Sequence, residues 1–167
     1  MNTLLRSIAV ILLLSILAPA QDVFSQTNAD LTLFLFRHAE KVDDSKNPHL
    51  SDQGRERAEK LFNMLSNEPV TAIYSTPYHR TEETVKHFVD TFNLPVMHYN
   101  HRELANFAEE LKNKTGRIIV SGHSNTTPQL ASQIVDIDVN EIDETVYDNL
   151  YIITISNGVA TLTVINY

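Results

Sequence analysis

The chain has 167 residues, enough for one core of ordinary size and too few for two once a leader is set aside. Hydrophobic residues make up 43% and charged residues 20%, with four Gly and six Pro, which excludes a disordered or fibrous chain. With no cysteine there is no thiol catalysis and no disulfide, and a formal net charge of −8 argues against nonspecific nucleic-acid binding, which needs a basic surface.

Met1 to Ala20 has the make-up of an export signal: Arg6 near the start, an apolar run from Ile8 to Leu17, then Ala18-Pro19-Ala20 at the cleavage position. The run falls short of the ~18 apolar residues of a membrane span. A mature chain starting near Gln21 is expected, periplasmic or secreted, with a formal charge of −9 once Arg6 is lost. It has no cysteine for lipid attachment, and no stable membrane anchor is expected after cleavage.

Residues 21–30 are polar and read as an extended lead-in to a single domain over 31–167. The apolar run Leu31 to Phe36, closed by Arg37-His38, predicts a buried strand. Ala58, Leu61, Phe62 and Leu65 recur at helical spacing, with Ser51 placed to cap the helix start. Ala72 to Ser75 predicts a second strand, and Tyr78 to Phe92 a second helix with Thr84, Val85, Phe88 and Phe92 on one stripe. Pro95 to Tyr99 follows as a strand, Glu103 to Lys112 as a helix, Ile118 to Ser121 as a strand and Thr127 to Val135 as a helix. After an acidic loop, Leu150 to Ile155 and Val159 to Ile165 form a hairpin around Ser156-Asn157-Gly158. Alternation of this kind predicts an α/β fold, a three-layer α/β/α sandwich on a mainly parallel sheet, with an antiparallel strand from the C-terminal hairpin.

In such sheets ligands bind beyond the carboxyl ends of the strands, and four of those ends carry chemistry. Arg37-His38, Thr76 to Arg80, Asn100 to Glu103 and Gly122 to Asn125 bring two Arg, two His and one Glu to one rim. Guanidinium forks can hold a phosphoryl group without a metal, a neutral imidazole can attack phosphorus, and a carboxylic acid can protonate the leaving oxygen. Each residue also has a plainer reading: Arg37-His38 as a polar strand end, Arg80 in a surface ion pair, His123 as a loop histidine. His98, His101 and Glu103 lack the spacing of a metal site and read as solvated side chains.

These segments together resemble the histidine phosphatase superfamily, also called the phosphoglycerate mutase-like family. Leu35 to Glu40 is similar to its Arg-His-Gly opening, Leu50 to Gly54 to its Leu-Thr-x-x-Gly segment, Ile73 to Thr84 to the stretch bearing its second arginine, and Val120 to Ser124 to its closing histidine segment. The resemblance implies a phosphoglycerate mutase-like fold, a small phosphorylated substrate and a phosphohistidine at His38. It also implies phosphate binding by Arg37, Arg80 and His123, with no metal and no organic cofactor. Ala39 stands in place of the usual Gly, and Ser124 where one branch of the family has its acid. Glu103 is the expected proton donor, with Asp43, Asp44 and Glu40 as alternatives. Beside two arginines, Glu103 needs distance or desolvation to stay protonated. The resulting expectation is an exported phosphatase of phosphate monoesters. The second reading is a binding module that keeps the pocket without turnover. A mutase is a third, disfavoured because the short chain leaves little room for lid segments.

Overall fold

A computed structural model describes residues 30–167, so the expected leader and nearly all of the lead-in lie outside the described residues. Ten elements follow in order: β1 (Leu31–Arg37), α1 (Asp52–Leu65), β2 (Val70–Ser75), α2 (His79–Phe92), β3 (Val96–His98), α3 (Leu104–Lys112), β4 (Gly116–Gly122), α4 (Thr126–Val135), β5 (Asn149–Ser156) and β6 (Val159–Asn166). The strands form one sheet in the order β3-β2-β4-β1-β5-β6. β3, β2, β4 and β1 are mutually parallel; β5 runs against both β1 and β6.

β1 is apolar on both faces because it lies in mid-sheet. Leu31, Leu33 and Leu35 pack with Phe107, Leu111, Leu130 and Ile134 of α3 and α4. Phe34 and Phe36 pack on the other side with Leu61, Leu65, Val85 and Phe88 of α1 and α2. Two helices thus cover each face, as the alternating pattern requires. Among the described residues, no helix is long and apolar enough to cross a membrane.

Local signals behave as the sequence suggests. Ser51 caps α1, its hydroxyl oxygen accepting from the Gly54 amide at 3.1 Å. The last hairpin closes through Asn157 and Gly158, both with positive φ of 51° and 77°, as a two-residue turn with right-handed strand twist demands. β2 starts at Val70, before the expected Ala72, because a register shift between these residues still carries buried Val70 into the core.

The parallel pairing of β1 with β4 positions the chemistry. Its register matches Arg37 with Gly122, and the His38 amide donates to the Gly122 carbonyl at 2.9 Å. His38 and His123 therefore leave adjacent strand ends side by side. β2 flanks β4 with Ser75 opposite Ser121, which brings Thr76 to the same edge.

The segment after His38 is held against α1 at Gly54. A Cβ on Gly54 would lie 2.2 Å from the Glu40 carbonyl oxygen, so only glycine permits this approach. Gly54→Ala is expected to lower stability by about 1–3 kcal/mol, through overpacking against rigid backbone, measured as a shift of the urea midpoint.

Candidate active site

Arg37 enters the site almost wholly buried, at 2% exposure. Its Nη1 donates to the carbonyls of Asp143, Glu144 and Val146 at 3.2, 2.9 and 2.9 Å, and its Nη2 to Glu144 Oε2 at 2.5 Å. The guanidinium lies over the Tyr147 ring, 4.0 Å from its centre. Arg80 is placed likewise over Tyr78, at 4.6 Å. Arg37 Nε and Arg80 Nη1 are buried without a hydrogen-bond partner. Buried donors of this kind call for an acceptor.

His38 donates from Nδ1 to the Ala39 carbonyl at 2.7 Å, which leaves the lone pair of the neutral ring on Nε2. Burial lowers its pKa to about 4; the Ala39 hydrogen bond opposes the shift, while the charges of Arg37, Arg80 and Lys41 add to it. His123 is held to about 3 by burial first and by Arg80 next. Its Nδ1 accepts from Arg80 Nη2 at 3.4 Å, because a guanidinium only donates, so its Nε2 hydrogen is directed to Thr76 Oγ1 at 3.0 Å. The two imidazoles stand edge to face with centroids 5.5 Å apart, both neutral near pH 7. The methyl group of Ala39 packs with Leu50 and Ala58, so it costs the site no space.

Arg37, His38, Arg80 and His123 line one open hollow of about 320 Å³, rimmed by Lys41, Lys46 and His101. Glu103 is not brought to it. The residue is exposed at the start of α3 and borders a different hollow, with Tyr74, Asn106 and Glu110. The reason lies in the topology: β3 is the sheet edge, two strands removed from β4, and the turn after it delivers His101 to the site while Glu103 opens the helix. Of the alternatives, Glu40 is committed to Arg57 at 2.6 Å, Asp44 pairs with Lys41 at 2.8 Å, and Asp43 accepts from the Ser45 amide.

Glu144, Tyr147, Tyr78 and His101 were not singled out as members of the site. Glu144 also accepts a hydrogen bond from the Ser124 hydroxyl, and this bond, with the charge of Arg37, lowers its pKa. His101 packs edge to face on His123 with centroids 5.7 Å apart. Among the described residues, no group of three or more His, Asp or Glu is arranged to hold a metal ion.

The family model described as histidine phosphatase superfamily (branch 1) matches residues 33–101, which span β1 to the turn after β3. Over these residues the chain is similar to the histidine phosphatase superfamily, and its fold is shared with phosphoglycerate mutase-like proteins. Solved structures similar to it include a mycobacterial glucosyl-3-phosphoglycerate phosphatase, with a TM-score of 0.66 and 12% identity over 82% of this chain and 99% of that one. The protein histidine phosphatase SixA complexed with tungstate gives a TM-score of 0.65 and 16% identity over 81% and 96%. A phosphoglycerate mutase from Plasmodium falciparum gives 0.58 and 14% over 81% and 90%. Among curated proteins, none matches the chain in sequence.

Two imidazoles with depressed pKa values make stability depend on acid. The unfolded chain takes up protons near pH 6.5 and the folded one only near 4 and 3, so stability is full above pH 6.5 and is lost as the pH falls toward 4. Each contributes at most on the order of 3 kcal/mol to this loss. His38→Asn is expected to flatten the decline between pH 6.5 and 4 in urea unfolding series.

Proposed function

We propose that this protein hydrolyses phosphate monoesters through a phosphohistidine at His38. The observation that carries the reading is the state of His38: a neutral, buried ring whose Nδ1 is tied to the Ala39 carbonyl, leaving Nε2 free as a nucleophile between two arginines. Nε2 attacks phosphorus as the ester P–O bond breaks. Water then attacks the phosphohistidine, releasing phosphate and the neutral ring.

The charge on the equatorial oxygens is met by Arg37 and Arg80, whose partnerless buried nitrogens an oxyanion would satisfy. His123 holds Arg80 through Nδ1. When an anion draws Arg80 off Nδ1, the ring hydrogen passes to Nδ1 and the Thr76 hydroxyl donates to Nε2 instead, so that His123 also donates to the phosphoryl group. The phosphatases and the tungstate-bound protein among the similar folds support this reading, tungstate being a tetrahedral oxyanion like phosphate. The open hollow suits a small phosphorylated substrate, with Lys41 and Lys46 at the rim to attract its charge.

The intact protein is expected to hydrolyse an aryl phosphate, with tungstate as a competitive inhibitor. His38→Ala should cost at least ~10³-fold in kcat, and Arg80→Ala should lower kcat/KM by ~10²-fold or more. Activity surviving His38→Ala overturns the reading, and tungstate binding without turnover by the intact protein favours a phospho-ligand binding module instead.

The proposed place of action is the periplasm or the cell exterior, on the strength of the Met1–Ala20 composition. N-terminal sequencing of the protein from the extracytoplasmic fraction should then begin near Gln21. A start at Met1 would refute cleavage.

A further inference from the structure

Glu144 reaches the hollow from the loop between α4 and β5, and it is the one carboxylate among the described residues lining that hollow. Its Oε2 accepts from Arg37 Nη2 at 2.5 Å and its Oε1 from the Ser124 hydroxyl. The backbone beneath it is clamped as well, since Arg37 Nη1 donates to the carbonyls of Asp143, Glu144 and Val146. A side chain that is 76% exposed is thus fixed at both ends. Arg37 Nε and Arg80 Nη1 remain without partners, so holding Glu144 does not exhaust the guanidinium donors.

Resting on the phosphatase reading above, we propose that Glu144 is the catalytic residue that carries the proton in both halves of the reaction. In the first half its carboxyl gives a proton to the ester oxygen as the P–O bond breaks and the Nε2–P bond forms at His38. In the second half the carboxylate takes a proton from water as the water oxygen bonds to phosphorus and the Nε2–P bond breaks. The Ser124 hydroxyl and Arg37 hold the Glu144 carboxyl below the usual carboxylate range, so it is a carboxylate before substrate arrives and the proton for the first half enters with the ester monoanion, whose second ionisation lies near pH 6. The negative phosphoryl group beside the carboxylate favours its transfer to Glu144. At the end Glu144 returns this proton to the departing phosphate. One ester monoanion and one water become one alcohol and one dihydrogen phosphate.

The test compares the intact protein with its Glu144→Gln, Glu144→Asp and His38→Gln variants on an alkyl phosphate and on dinitrophenyl phosphate, whose leaving group departs without a proton. Glu144→Gln is expected to lose about 10²–10⁴-fold in kcat/KM on the alkyl ester and less than about tenfold on the dinitrophenyl ester. Glu144→Asp should recover part of the alkyl activity, and phosphoenzyme should accumulate in Glu144→Gln. An equal loss on both esters, or no loss on either, overturns the assignment of Glu144 while the phosphatase reading stands. If His38→Gln is as active as the intact protein, or if the intact protein turns over neither ester, the phosphatase reading falls and the role of Glu144 with it.

Discussion

The parallel pairing of β1 with β4 is the constraint on which the site depends. Matching Arg37 with Gly122 sets the two following histidines against each other, and the bond from the His38 amide to the Gly122 carbonyl locks that step. A slip of one residue would swap the faces of Arg37 and His38 and separate the imidazoles.

Burial is the second theme. The same packing that excludes water from His38 and His123 holds them neutral in the presence of two guanidiniums, and the tie from Nδ1 to Ala39 fixes which nitrogen of His38 is left open. Nucleophilicity in the proposed reaction is therefore a product of the fold around the ring. Burying these guanidiniums and imidazoles costs desolvation free energy, which the surrounding hydrophobic layers must offset.

The sheet and its helices were legible in the chain, because periodicity marks each strand, and four of the five expected site residues line one hollow because they follow directly from strand ends. Arg37 and His38 close β1, Arg80 lies in the first turn of α2 and His123 follows β4; each position depends on local pattern plus one rule about parallel sheets. Glu103 was misplaced because the turn after β3 directs successive side chains to different hollows, and no local pattern reports which one turns inward. Glu144 was missed for a different reason. It sits in a loop that also carries Asp136, Asp138, Glu141, Asp143 and Asp148, where nothing in spacing distinguishes one acid from another. What selects it is a contact with Arg37, 107 residues earlier in the chain.

The tyrosines beneath the two arginines have a consequence for how the cations present themselves. With Tyr147 and Tyr78 each covering one face, each guanidinium is a planar plate with that face closed to water. Less hydration has to be shed when a tetrahedral guest arrives. Two phenol rings far apart in the chain thereby act as shelves that set the attitude of the charge before any guest is present.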